Sequence, residues 1–250
     1  MASKMILPTR YFKSLNKHNV LSYMFNSKKL SSVKSINVCL KQMTASTRMY
    51  CSVTHPFKCG NCMKEFQAFS FKCPHCNALQ LVSKNVNFFQ VLEQKINFDL
   101  DNNILKKKYL QLQSEFHPDK FSISNENDKA ISADIAATVN KAYSTLANPY
   151  ERGKYVLQMY SISVEDNTLP LDPKFLNLIM ILNEELEDIK TLSDLERFEE
   201  GNEKEIKNLT ELVSCAFSKK DYEVAKTELQ KMKYYISMRE RLKAMKTSFN

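Results

Sequence analysis

The chain has no tryptophan and only three glycines in 250 residues. That poverty argues against a glycine-rich phosphate cradle and against a β-barrel built on many tight turns. No apolar run approaches the roughly 20 residues of a membrane-spanning helix, so membrane insertion is not expected. Acidic residues are missing altogether from positions 1–50, which hold nine of the 36 Lys and Arg. The remainder carries 27 basic and 28 acidic side chains, so the formal charge of +8 belongs wholly to the leader. A domain that grips phosphates keeps its cations in the folded part, so nucleic acid is not an expected partner.

Residues 1–50 are basic, serine-rich and acid-free, with scattered apolar positions such as Ile6, Leu7, Tyr11, Phe12 and Leu15. This is the composition of a mitochondrial targeting leader, although a merely disordered basic tail shares it. Arg48-Met49-Tyr50 before Cys51-Ser52 has the form of a matrix-processing site. A secretory signal would need a continuous apolar core after the first lysine, and none follows. A matrix destination favours reduced or metal-bound cysteines over structural disulfides.

Four of the seven cysteines are paired in sequence: Cys59-x2-Cys62 and Cys73-x2-Cys76, with ten residues between the pairs. Each pair lies in a tight turn whose backbone amides can stabilise thiolates, and four sulfurs suit the closed tetrahedral shell of structural Zn2+. A four-thiolate site also suits iron or an iron–sulfur cluster. A thioredoxin-like redox pair, by contrast, usually occurs once and opens a helix after a strand. With about 25 residues around it, the segment is too short to bury a core, so metal binding would supply much of its folding energy. His75 reads as a solvated bystander, and Cys39, Cys51 and Cys215, which lack paired spacing, as ordinary thiols.

Further along, Leu105, Tyr109, Leu112 and Phe116 recur at spacings of 4, 3 and 4, the apolar stripe of an amphipathic helix. Asp99 or Asp101 is placed to cap it, and Lys106, Lys107 and Lys108 are expected on its solvent-facing side. Pro118 forces the residue before it out of the α region and ends the helix. Ile131, Ile135, Val139, Ala142 and Leu146 form the stripe of a second helix, closed by Pro149. Two antiparallel helices are thus joined by a polar loop that begins with His117-Pro118-Asp119. None of the three looks catalytic, since an acid or base needs a pocket and a partner with an offset pKa. Asn87-Phe88-Phe89-Gln90-Val91-Leu92 could pack before them as a small first helix.

The C-terminal half carries three more helical stripes. Phe175, Ile179, Leu182, Leu186 and Ile189 form one; Tyr222, Ala225, Leu229, Met232 and Ile236 another; Leu195, Phe198, Ile206, Leu209, Val213 and Phe217 a looser third. Three such helices can bury one another as an antiparallel bundle. Leu176 and Met180 lie about 100° round their helix from Phe175 and Ile179, and Tyr234 about 200° from Met232 and Ile236, outside the seams. Apolar positions left outside a core can mark a partner site, or can be covered by another domain.

His117-Pro118-Asp119 between two such helices resembles the J-domain. Phe88-Phe89-x-Val-Leu, Phe98-Asp99-Leu100-Asp101 and Glu115-Phe116-His-Pro-Asp-Lys-Phe121 are narrower, and resemble the HscB family of iron–sulfur co-chaperones; the preceding cysteine quartet looks like its animal-type mitochondrial members. The resemblance implies an all-α co-chaperone without enzymatic activity. Its parts would be a leader (1–50), a four-cysteine module (51–84), a J-domain hairpin (85–160), a linker (161–172) and a three-helix bundle (173–250). It further implies that His117, Pro118, Asp119, Lys106, Lys107 and Lys108 meet a mitochondrial heat-shock ATPase chaperone of the DnaK class. Leu176, Met180, Glu184 and Tyr234 would contact an IscU-type iron–sulfur scaffold. Asn177 and Ile181 depart from the family, standing where many relatives have an apolar and an acidic residue. Two other readings remain: a thiol redox or metal-handling protein that works through the quartet, and a general J-protein for unfolded clients.

Overall fold

The computed structural model describes residues 56–83, 86–121, 125–164 and 171–248. The leader, its processing site, Cys39 and Cys51 lie outside the described residues. The described chain is mainly helical, and no described helix is long and apolar enough to cross a membrane. Among the described residues, the departures from helical structure are two small antiparallel pairings in the cysteine segment, one of them a single bridge between Lys72 and Leu79. In the other, β1 (Phe57–Lys58) pairs antiparallel with β2 (Glu65–Phe66), Phe57 opposite Phe66 and Lys58 opposite Glu65. Strands of two residues have no periodicity to read, so this ladder left no sequence signal.

A one-turn helix, α1 (Phe88–Val91), opens with a capping box between Asn87 and Gln90. It buries Phe89 and Val91. Helix α2 (Asn102–Phe116) is capped by Asp101, whose carboxylate accepts from the amides of Asn103 and Ile104. Asp99, the other capping candidate, instead accepts from the Ser214 hydroxyl at 2.8 Å. Helix α3 (Glu126–Ala147) buries all five residues of its sequence stripe, packs along α2, and closes a core with Phe89, Leu92, Leu105, Leu112 and Phe116.

Pro149 does more than end α3. Asn148 is both the C-cap of α3 and the N-cap of α4 (Pro149–Met159), its side chain accepting from the amides of Tyr150 and Glu151. Proline at the first helical position suits a start, where its missing N–H would have had no partner. The sequence stripes did not reveal α4, because its buried residues include Arg152 and Gly153. Gly153 permits close approach to the last helix: a Cβ there would stand 2.8 Å from Leu229 Cδ2. The Arg152 guanidinium lies 5.0 Å from the centre of the Phe98 ring and donates to the Leu146 carbonyl.

Helices α5 (Pro173–Glu187), α6 (Leu192–Ser218) and α7 (Tyr222–Ser248) bury Ile179, Leu182, Leu186, Leu195, Phe198, Leu209, Val213 and Leu229 in a second core. Tyr150 and Leu157 of α4 belong to this core, whereas Val156 belongs to the first. The expected α7 stripe is incomplete. Ile236 lies at its margin, while Tyr235, Met238 and Leu242 are fully inside. The reason is that α7 packs against α4 as well as α6, so its buried face is wider than one seam and takes in Lys226 and Gln230.

Candidate functional site

Three groups of residues stand out, one in each part of the fold. The first is the turn that follows α2. His117 takes an extended conformation (φ −61°, ψ 131°), as the ring of the following proline requires. Pro118–Phe121 then forms a single 3₁₀ turn, tied by the Lys120 amide to the His117 carbonyl at 3.0 Å. The Asp119 amide donates to His117 Nδ1 at 3.3 Å, and its carboxylate stands 3.5 Å from the same nitrogen. The His117 side chain is 54% exposed and that of Asp119 90%. The turn fixes both residues and leaves both side chains exposed.

The lysines of α2 do not all share that surface. Lys106 and Lys107 are exposed, but Lys108 is only 16% exposed and pairs with Glu93 at 2.6 Å. This corrects the expectation that all three line the solvent-facing side. Three successive helical residues sweep about 200°, and Lys108 stands three residues after Leu105 and four before Leu112, beside the buried stripe.

The second group is the cysteine quartet, where all four Sγ atoms lie within 4.8 Å of one another. Cys59 and Cys76 are 3.6 Å apart, and Cys62 and Cys73 3.7 Å. A tetrahedron with metal–sulfur bonds of about 2.3 Å has edges near 3.8 Å, so the donor set and spacing fit a tetrahedral metal ion. The two turns are built alike. The Met63 amide donates to the Cys59 carbonyl and the Asn77 amide to that of Cys73, with both donors in the left-handed region at φ near 60°.

Backbone amides of Asn61 and Cys62 point at Cys59 Sγ, and that of His75 at Cys73 Sγ, at 3.3 to 3.4 Å. Donation from the Cys62 amide brings the Cys59 thiol down to about 6, against the opposing effect of burial. At Cys62 the Lys64 amide pulls downward, yet burial and the neighbouring thiols push the group up to about 11. The Ala78 amide holds Cys76 below the ordinary thiol value. Thiolates packed this closely repel one another, and a central cation relieves that repulsion. The exposed His75 ring is no part of the group.

One member of this site had no sequence signal. Gln80 is buried, donates through Nε2 to the carbonyls of Ala78 and Leu79, approaches Cys59 Sγ at 3.5 Å, and accepts from the Gly60 amide. It ties one turn to the other. A lone glutamine four residues after the last cysteine matches no ligand pattern, so only the folded geometry exposes its role.

The third group lies on the bundle. Leu176, Met180 and Glu184 follow one another at intervals of four along α5 and are exposed, the first two at 43% and 47%. Tyr234 of α7 is 37% exposed and meets the edge of the Phe175 ring, centroids 5.7 Å apart. Asn177 is exposed and Ile181 half-buried beside them.

Comparison with known proteins agrees with this architecture. Residues 171–243 match the model of the HSCB C-terminal oligomerisation domain. The iron–sulfur cluster co-chaperone protein HscB of Mus musculus is 33% identical over 192 residues, covering 76% of this chain and 82% of the relative. That of Homo sapiens is also 33% identical, over 191 residues, with coverage of 76% and 81%. The crystal structure of the human co-chaperone protein HscB superimposes with a TM-score of 0.70 at 33% identity, covering 76% of this chain and 98% of that one.

Proposed function

Because the chain belongs to the HscB family of iron–sulfur cluster co-chaperones, we propose that it brings an IscU-type scaffold to a DnaK-class chaperone and stimulates that chaperone's ATPase. It is a co-chaperone and not an enzyme; the hydrolysis belongs to its partner. The observation that carries this reading is the His117–Asp119 turn, fixed in an exposed conformation at the end of a helix bearing Lys106 and Lys107. Exposed ammonium groups steer the helix towards an acidic surface. Asp119 adds an exposed carboxylate, the complement of an arginine on the partner. Lys108 contributes charge but is already engaged by Glu93.

On the bundle, Leu176, Met180, Glu184 and Tyr234 are the proposed scaffold contacts. Carrying both sites on one chain raises the local concentration of scaffold at the chaperone. Cys59, Cys62, Cys73 and Cys76 would hold Zn2+ in a closed shell, where the ion holds the fold and supplies no reaction. A dithiol redox centre needs one pair set apart, whereas here all four sulfurs converge. The acid-free leader supports a mitochondrial matrix destination.

His117→Gln tests the central claim. It should abolish ATPase stimulation of a DnaK-class chaperone while leaving helicity and scaffold binding as in the parent. Stimulation at the parental level would overturn the reading.

A further inference from the structure

The last two residues of α2, Glu115 and Phe116, stand directly before His117. A helix C-terminus leaves carbonyls without intrahelical partners and frays unless something outside holds it. Helix α3 packs along α2 and against the turn, and the cysteine module supplies a second hold on the helix end. The Phe71 ring packs on Phe116 with centroids 5.1 Å apart, and Phe69 backs Phe71 edge-on at 4.9 Å. Lys72 Nζ lies 2.7 Å from Glu115 Oε1 and 5.1 Å from the centre of the Phe116 ring. A cation at this end of the helix also complements its dipole. Phe71 and Phe116 are both buried.

Phe71 and Lys72 have their positions because of the metal turn that follows. Cys73 is the next residue, its amide donating to the Ala78 carbonyl. Lys72 bridges to Leu79, and the Gln80 amide donates to the Phe71 carbonyl at 2.8 Å. The return segment 78–80 that completes this ladder is the one Gln80 anchors to the first cysteine turn. The module buries too little apolar surface to keep this shape alone. A surface pocket of about 170 Å³, lined by Phe71, Lys72, Glu93, Lys108 and Glu115, lies along the seam, so the contact there is not continuous core.

We infer that Phe71 and Lys72 are positioning residues for the His117–Asp119 turn: folded about its metal, the four-cysteine module clamps the last turn of α2, and loss of the metal releases it. The inference rests on the reading of that turn as the chaperone contact. Release does not remove the contact groups; it lowers the fraction of molecules that present them correctly. Apparent affinity for the chaperone falls by that fraction, while the effect at saturation survives.

The test uses the full chain with Phe71→Ala, Phe71→Leu and Lys72→Ala. It measures bound metal, amide hydrogen exchange over residues 113–121, and chaperone ATPase as a function of co-chaperone concentration. Phe71→Ala should keep its metal, exchange faster over residues 115–121, and need about three- to tenfold more protein for half-maximal stimulation, with the maximum unchanged. Phe71→Leu should move both readings back towards the parent, and removing metal from the parent should reproduce both changes. Unaltered exchange in metal-loaded Phe71→Ala, or in the metal-stripped parent, would overturn the clamp. Should Phe71→Ala itself lose metal, Lys72→Ala decides, and unaltered exchange there defeats the proposal. His117→Gln separates the two claims: if it stimulates normally the chaperone reading falls, while exchange still reports whether the clamp exists.

Discussion

Met63 and Asn77 hold equivalent places in the two cysteine turns, both at positive φ, and neither is glycine. Asparagine tolerates that region; methionine does not readily, and its strain must be offset by the rest of the turn. Metal binding is the natural source of that offset in a segment with so little core. Replacing Cys59 and Cys62 by Ser should therefore release about one metal per chain and unfold the segment near residues 57 to 80, while the helical body keeps its melting transition. Metal analysis and amide exchange check this; a variant that retains metal and protection would refute it. At this scale the four cysteines and the His117–Asp119 turn were plain in the sequence, because thiol spacing and a proline at a helix end carry local meaning. Gln80, Phe71 and Lys72 were not, since their importance depends on what the fold sets against them.

Among elements, the helices with a regular apolar stripe were readable, as was the one-turn α1 from its short apolar cluster, whereas α4 was not. Helix α4 buries a guanidinium and a glycine where a stripe would have leucines, because it is wedged between two other elements. A charged side chain there is tolerated because the Phe98 ring and the Leu146 carbonyl receive it. The same wedging widened the buried face of α7 beyond the stripe that periodicity suggested. Asn148, which caps α4, is the sequence mark that a helix begins at Pro149. Asn148→Ala removes the acceptor for the Tyr150 and Glu151 amides and should cost about 1 kcal/mol of stability in denaturant unfolding. A change within error would show that solvent satisfies those amides equally well.

At the scale of the whole molecule, the chaperone and scaffold contacts proposed above lie on different parts of one chain, and a single triple variant can separate them. If Leu176, Met180 and Tyr234 supported the core, changing all three to Ala would open cavities costing about 2 to 5 kcal/mol each. Their exposure argues the other way. The variant should melt near the parent, lose scaffold affinity by orders of magnitude as truncated central anchors do, and still stimulate the chaperone when scaffold is absent. Unfolding, or undiminished scaffold binding, would remove this face from consideration.

Helix α4 gives its Tyr150 and Leu157 to one core and its Val156 to the other, and Gly153 brings its backbone against Leu229. The two halves are therefore not interchangeable cartridges. A chimera joined just after Met159 would graft a foreign hairpin onto a bundle cut for this particular helix, and any side chain at position 153 would meet Leu229. A graft that keeps α4 native has the opposite difficulty, since Val156 must then fit a foreign core. Exchange of parts between relatives is consequently confined to pairs that agree on this one helix, and sequence change along α4 must be matched on both sides of it at once.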